Sequence, residues 1–374
     1  MKINFTKIFV VLVAFQFSCK KENKITNNTP SSPHVYSSST YIDNLSPVMG
    51  GCLDSNGYLV SFTLPLMQSS SFGANALISG KIIKIKAPYY DSTIIDFLNT
   101  PFSFGSLYSN TINNINGWTP RWARVSLAYT KKGTLFMASN NNNGNKLCQI
   151  SNGQSYQYHV IDGLTAITSL NNDIYAITTP IYDLSLNNIL TQSTIYKIDS
   201  LGNLSSYYTF PANITFNSNC GYGSGAQKNY PLDVLIDIKA RKDSSIFIAS
   251  GYDNIIYKLD KNKNLSIYSQ NIFCPVSIDF DQNNQMYVAS APKYSEDVNQ
   301  NYIMTKPIQV YKIINTNQNV LIYECGLTNY TGCLYNKLAS DQCMISDANI
   351  KLNVKSEYNI FLENPYEGKI LLIQ

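Results

Sequence analysis

Four aspartates of this sequence are candidate ligands for a metal ion. Asp237 and Asp279 lie inside short segments of strand type, and Asp233 and Asp347 lie where polar connections enter such segments. Carboxylate oxygens are preferred ligands of hard divalent cations, which can polarise a substrate carbonyl. The interpretation that we favour is that these carboxylates satisfy hydrogen bonds between neighbouring elements or line a water-filled tunnel.

Other catalytic groups find less support. His34 and His159 are the two histidines of the sequence, so histidine-based acid–base catalysis is poorly supported. Residues 279–283 alternate oxygen-bearing side chains as a calcium loop does, but they lack the glycine and the distal glutamate of that motif. Residues 221–225 are rich in glycine without a strand-to-helix context. We interpret the first segment as a strand-ending turn and the second as a loop that does not bind nucleotides.

The elements that must position these residues form a repeat. A buried-strand pattern of aromatic and aliphatic residues occurs six times, at residues 58–60, 135–137, 174–176, 246–248, 286–288 and 360–362. A second strand follows each copy, at residues 83–85, 148–150, 196–198, 257–259, 311–313 and 371–373. Six such units in one chain predict an all-β fold, a six-bladed β-propeller.

The last blade is incomplete in the sequence. It has three strands before the chain ends at Gln374, and an open sheet edge favours aggregation. Residues 35–42 precede the first blade and match the outer strands of other blades. We therefore predict that this N-terminal strand completes blade six and closes the ring.

The strand and turn pattern at residues 275–281 and 286–289 resembles that of NHL-repeat and gluconolactonase-like six-bladed propellers. The resemblance extends over roughly residues 34–374 as an architecture, although its motifs are generic. In gluconolactonase-like propellers, acidic and amide side chains at the tunnel mouth hold a divalent cation. The resemblance implies that the four aspartates are the candidates for that role here, without a residue-by-residue match.

The connections between strands alternate in length, as though a pair of blades had been triplicated. Long connections are at residues 66–80, 99–123, 179–193, 211–232, 291–306 and 325–346, and strand polarity places them all on one face of the disc. They contain the aromatic residues Trp118, Trp122, Tyr222, Tyr230, Tyr302 and Tyr330. Tyrosine and tryptophan among small polar residues are typical of recognition surfaces. The alternative is that the long loops have no function of their own, and that the tryptophans only anchor the loop in which they lie.

The N-terminus predicts export. Residues 1–18 contain two lysines before a short apolar run, as a signal peptide does, and Cys19 follows a small residue as in a bacterial lipobox. Residues 19–33 have no apolar periodicity, so we expect a lipidated cysteine on a disordered tether. Residues 34–374 are then the propeller. Charged residues directly after Cys19 resemble the export signals of surface lipoproteins in Bacteroidota.

Seven cysteines follow Cys19, an odd number for an oxidising compartment. At least one must stay free or pair with another molecule. Cys52 and Cys148 are expected to be buried strand residues. Spacing does not settle the connectivity, and the pairs that the connections make plausible are Cys220 with Cys274 and Cys333 with Cys343.

The sequence as a whole favours a binding protein. We expect an outer-membrane lipoprotein, at the cell surface or on the periplasmic side, whose loop face binds a glycan, a peptide or an envelope or extracellular protein without catalysis or a cofactor. The alternatives are a lactonase-type hydrolase that uses Ca²⁺ or another divalent cation at the tunnel mouth, and a structural role in an envelope complex. The lipid anchor is the expected contact with the membrane.

The charge of the chain argues against nucleic acid as a partner. Loss of Lys2 and Lys7 with the signal peptide lowers the formal charge from +4 to +2, and no run of lysine or arginine forms a stripe. We therefore expect no nucleic-acid binding.

Overall fold

The structure is a computed structural model, and it describes residues 35–42, 48–63, 81–86, 89–96, 111–112, 115–118, 125–141, 144–179, 181–183, 188–211, 235–251, 253–296, 302–326, 350–365 and 367–374. The chain divides into two units, Met1–Val35 and Tyr36–Gln374, and nearly all of the described residues belong to the second. In these ranges no helix is long and apolar enough to cross a membrane.

The described secondary structure consists of β-strands. In chain order they are β1 (Ser38–Ile42), β2 (Val48–Leu53), β3 (Leu59–Thr63), β4 (Lys81–Lys86), β5 (Tyr89–Asp96), β6 (Thr111–Ile112), β7 (Ile115–Trp118), β8 (Val125–Tyr129), β9 (Leu135–Asn141), β10 (Gly144–Ser151), β11 (Gln154–Val160), β12 (Leu164–Leu170), β13 (Asp173–Thr178), β14 (Ile181–Asp183), β15 (Asn188–Thr191), β16 (Thr194–Ile198), β17 (Leu204–Thr209), β18 (Leu235–Ala240), β19 (Ile246–Ser250), β20 (Ile255–Leu259), β21 (Leu265–Gln270), β22 (Pro275–Phe280), β23 (Met286–Ser290), β24 (Lys293–Glu296), β25 (Tyr302–Lys306), β26 (Gln309–Asn315), β27 (Gln318–Glu324), β28 (Lys351–Ser356), β29 (Asn359–Asn364) and β30 (Lys369–Ile373).

Six antiparallel sheets of four strands form the blades of a propeller. From blade one to blade six they are β2-β3-β4-β5, β8-β9-β10-β11, β12-β13-β16-β17, β18-β19-β20-β21, β22-β23-β26-β27 and β28-β29-β30-β1. The first strand of each blade lies beside the first strand of the next, and β28 lies beside β2, so these six strands surround a central tunnel. The predicted all-β, six-bladed propeller is confirmed.

The second strand of each blade is buried on both faces because a neighbouring blade packs on either side. All five residues of β19, for example, are buried. A hydrophobic cluster fills each of the six interfaces between blades, including the one between blades six and one. Phe247 and Ile278 pack together between blades four and five, and burial of such a side chain stabilises the fold by about 1.5–3 kcal/mol.

Short turns join many of the strands, and aspartate side chains hold them. The carboxylate of Asp281 accepts hydrogen bonds from the backbone N–H groups of Asn283 at 2.8 Å and Gln285 at 2.9 Å. Asp260 holds the turn between β20 and β21 in the same way. The oxygens of residues 279–283 that resemble a calcium loop therefore belong to a strand-ending turn, as the sequence predicted.

The two ends of the propeller meet in blade six. Strand β1 pairs antiparallel with β30, and the backbones of Ser37 and Gln374 exchange hydrogen bonds of 2.8 and 2.9 Å. The ring of Tyr41 packs edge-on against Phe361, 4.9 Å away between ring centroids. The predicted closure of the ring by the N-terminal strand is confirmed.

The cysteines that the structure describes divide into two groups. Cys52, Cys148 and Cys325 are buried free thiols, which confirms the expectation for the first two. Cys274 is disulfide-bonded. The partner predicted for it, Cys220, lies outside the described residues, as do Cys333, Cys343 and Cys19.

Removal of strand β1 should destabilise the whole propeller. A chain that begins at residue 43 loses the strand that covers β30, together with the packing of Tyr41 and Ile42, and we expect its free energy of unfolding to fall by roughly 3 kcal/mol or more. Urea unfolding measures the loss. The control is a chain that begins at residue 34, which keeps β1, and equal stability of the two chains would contradict closure by this strand.

Candidate functional site

Two long connections of the propeller fold against each other. Strands β6 and β7 lie in the connection between blades one and two, and β14 and β15 lie inside blade three, between its second and third strands. Together they form a four-stranded sheet in the order β15-β14-β7-β6, in which Tyr182 is opposite Trp118 and Asp183 is opposite Gly117. This accessory sheet shows that both connections lie on the same face, as strand polarity predicts.

The loop face carries a further element in blade five. Strands β24 and β25 form a hairpin between the second and third strands of that blade, with Glu296 opposite Tyr302. Two of the predicted binding residues are therefore in folded elements of this face, Trp118 in β7 and Tyr302 in β25. The remaining four, Trp122, Tyr222, Tyr230 and Tyr330, lie outside the described residues.

At the tunnel, each blade presents the free edge of its first strand. A buried backbone N–H without a partner costs stability. Side chains of the preceding blade accept hydrogen bonds from these N–H groups. The pairs are Ser126 with Ile167 at 3.1 Å, Thr168 with Ala240 at 3.2 Å, Asp237 with Ile278 at 2.9 Å, Ser277 with Leu352 at 3.0 Å, Asp279 with Val354 at 2.9 Å and Glu363 with Gly51 at 3.3 Å.

Asp237, a candidate metal ligand for which the favoured interpretation was a hydrogen bond between neighbouring elements, is buried at the centre of this network. Its Oδ2 accepts the hydroxyl of Ser277 at 3.1 Å and the N–H of Ile278 at 2.9 Å. Its Oδ1 accepts the ammonium of Lys351 at 2.7 Å, which links blade four to blade six. The carboxylate thus has hydrogen-bond partners on both oxygens, from two other blades.

Asp279 has the same kind of environment one blade further on. Its Oδ1 lies 2.8 Å from the ammonium of Lys239, and its Oδ2 accepts the N–H of Val354 at 2.9 Å. A divalent cation at Asp237 or Asp279 would have to displace the ammonium that is bonded to that carboxylate, so these two side chains do not fit a metal ion in their present arrangement. Asp233 and Asp347, the other two candidate ligands, lie outside the described residues.

Other candidate ligands are not brought together in the part of the chain that the structure describes. No group of three or more histidine, cysteine, aspartate or glutamate residues there could hold a metal ion. His159 is in the outer strand β11, and its Nε2 lies 3.0 Å from the carbonyl oxygen of Gly202 in a turn of blade three. This histidine is remote from the tunnel.

Sequence reasoning missed Glu363, a fully buried residue between blades six and one. Its carboxylate accepts the hydroxyl of Ser61 and the amide of Asn353, both at 2.8 Å. A Cβ on Gly51 would lie 1.8 Å from its Oε1, so glycine is needed there. The repeat contained a signal that could have found it. The position that Glu363 occupies in blade six is Ala138 in blade two and a small or apolar residue in the other blades, so a glutamate there departs from the pattern.

The pKa of Glu363 is shifted by its surroundings. Burial raises it to about 7, against the opposing effects of Ser61, Lys351, Gly51 and Asn353. Desolvation disfavours the charged form more than these donors favour it. Glu363 therefore changes its charge near neutral pH inside the core.

Comparisons with known proteins support the fold. No protein-family model matches the chain, and no curated protein is significantly similar to it. A gluconolactonase from Xanthomonas campestris has a similar structure, with 7% identity over 90% of this chain and 88% of that protein and a TM-score of 0.51. Virginiamycin B lyase from Staphylococcus aureus has 12% identity over 91% of this chain and 99% of that protein, with a TM-score of 0.44.

Such low identity shows the six-bladed fold alone. The gluconolactonase structure with a TM-score of 0.51 confirms the resemblance to gluconolactonase-like propellers at the level of the fold.

Replacement of Glu363 should change how stability depends on pH. The folded pKa of about 7 exceeds the unfolded value of 4.5, so the contribution of this group to stability is fully present below pH 4.5 and is lost as the pH rises to about 7. The loss amounts to roughly 3 kcal/mol. Glu363→Gln stays neutral, and we expect it to remove this decline in urea unfolding measured at about pH 5 and about pH 8.

The glutamine fits because Oδ1 of Asn353 has no hydrogen-bond partner among the described residues, so a flipped Asn353 amide can accept the new N–H. The matched control is Glu324→Gln on the exposed edge strand β27, which should keep the wild-type decline. A full decline in Glu363→Gln would show that another group titrates.

Proposed function

We propose that this chain is an outer-membrane lipoprotein, anchored through Cys19 at the cell surface, whose loop face binds a glycan, a peptide or a protein outside the cytoplasm without catalysis. The loop face comprises the accessory sheet β15-β14-β7-β6, the hairpin β24-β25 and the other long connections on that side of the ring.

The accessory sheet is the observation that carries this proposal. Its strands come from connections separated by a complete blade in sequence, yet β7 and β14 pair. Loops that only decorate a scaffold need no defined pairing with each other, whereas a binding surface needs a fixed shape. A rigid propeller with folded additions on one face suits recognition of a large partner.

The tunnel gives less support to the alternative, a hydrolase with a divalent cation. Asp237 and Asp279 are bonded to Lys351 and Lys239 and to backbone N–H groups of the next blade. Their role as described is to join blades. The hydrolase would then depend on Asp233 and Asp347.

Lipidation at Cys19 has a direct test. The full chain expressed in a Gram-negative bacterium should incorporate labelled palmitate, and Cys19→Ser should abolish both the label and partition into the detergent phase, because a thioether-linked lipid needs the cysteine sulfur. Lys20→Ala is the control and should keep the label. Equal labelling of Cys19→Ser would exclude this anchor site.

The loop face is tested by binding of the full mature chain to a glycan microarray and a displayed peptide library. For any ligand found, Trp118→Ala combined with Trp122→Ala should weaken binding roughly tenfold or more, as loss of an aromatic anchor does. The matched control is Tyr156→Ala, an exposed tyrosine on outer strand β11, which should bind as the wild type does.

Treatment of the same protein with a chelator distinguishes binding at the loop face from metal-dependent hydrolysis. The binding proposed here needs no cofactor, so we expect the affinity to persist after treatment with a chelator. A stoichiometric divalent cation together with chelator-sensitive lactone hydrolysis would overturn the proposal and establish the hydrolase. Unchanged affinity of the tryptophan variant would show that the ligand binds elsewhere.

A further inference from the structure

The tunnel contains a cavity of about 180 Å³ that the network between blades does not fill. It is surrounded by the first strands of all six blades and lies towards the ends that lead to the short turns, on the side opposite the loop face. The lining residues that matter here are Gly51, Tyr129, Thr168, Lys239, Asp279 and Lys351. An engineered cavity of about 150 Å³ holds benzene, so this one has room for a small molecule.

Lys239 is the most exposed of the charged side chains that line this cavity. Its side chain is 28% exposed, whereas that of its partner Asp279 is 6% exposed. Burial lowers the pKa of Lys239, but the charges of Asp279 and Asp237 outweigh that effect and raise it, so the ammonium stays protonated. An ammonium has three N–H donors and Asp279 accepts one of them, which leaves donors for another acceptor.

Two hydroxyl groups add to these donors. Oγ1 of Thr168 accepts the N–H of Ala240, and its own proton has no acceptor among the described residues. Burial raises the pKa of Tyr129, so its phenol also remains protonated and able to donate. Lys239, Thr168 and Tyr129 therefore offer side-chain donors to a ligand in the cavity.

The charged groups of the lining form ion pairs. Lys239 pairs with Asp279 and Lys351 with Asp237, so the charges of these four groups sum to zero, and a bound anion meets no excess negative charge from them. We propose that this cavity is a binding site for a small organic carboxylate, held by the ammonium of Lys239 and by the hydroxyls of Thr168 and Tyr129. A hydrophobic ligand would leave these donors unsatisfied, and a cation would lie against N–H and O–H groups that can only donate to an acceptor.

The site does not depend on the loop face. A partner on the loop face and a carboxylate in the tunnel contact different residues, so loss of one leaves the other intact. The two proposals can therefore fail separately.

Isothermal titration of the full mature chain with lactate and with acetate, up to about 10 mM, tests the tunnel site, with chloride and phosphate at equal ionic strength as inorganic probes. We expect one carboxylate per chain. Lys239→Met combined with Asp279→Asn removes the ammonium without leaving an unpaired buried charge, and it should lower the affinity roughly tenfold or more.

Tyr129→Phe removes a hydroxyl with no described structural bond, and it should weaken binding several-fold even if the double variant fails to fold. Lys261→Met in an exposed turn is the matched control and should bind as the wild type does. Absence of lactate and acetate binding, equal affinity for chloride or phosphate, or wild-type affinity in both Tyr129→Phe and the double variant would each overturn the proposal.

Discussion

The free inner edge of each blade is the constraint on which the rest of this structure depends. A propeller cannot pair the first strands of its blades as a sheet, yet these strands are buried around the tunnel and their N–H groups need acceptors. The chain supplies the acceptors from the preceding blade, by serine and threonine in blades two and three and by aspartate in blades four and five. Between blades one and two the backbones themselves approach, since a Cβ on Gly50 would lie 2.1 Å from the carbonyl oxygen of Val125.

The use of carboxylates as acceptors has an electrostatic consequence. Asp237, Asp279 and Glu363 bring negative charge into the interior, where an unpaired charge would cost several kcal/mol. Lys351 and Lys239 neutralise the two aspartates through ion pairs of 2.7 and 2.8 Å. Glu363 has no such partner at hydrogen-bond distance among the described residues, and its pKa rises instead. The charge of the two aspartates is thus balanced by an ammonium, whereas the charge of Glu363 is reduced by protonation.

The sequence predicted the features of this fold that local patterns encode. Six copies of a buried strand, the turn at Asp281 and a closing strand at residues 35–42 are all visible in short segments, because side-chain periodicity and turn chemistry act over a few residues. The pairing of β7 with β14 was not predicted, since short polar strands have no apolar pattern to set their register. The ion pair of Asp237 with Lys351 joins residues 114 positions apart, and only the closed ring brings them together.

The candidate site was harder to predict than the fold for a physical reason. An aspartate in a strand has the same sequence signal whether it binds a metal or an N–H group of the next blade, and only the neighbouring ammonium groups distinguish the two cases. Asp237 and Asp279 are committed to holding the blades together, so they are not available for chemistry with a ligand in their present arrangement. Two features remain available for a ligand. One is the set of side chains with unused hydrogen-bond donors in the tunnel, above all Lys239, and the other is the folded connections of the loop face. The same interactions that close the ring therefore determine which side chains remain for function.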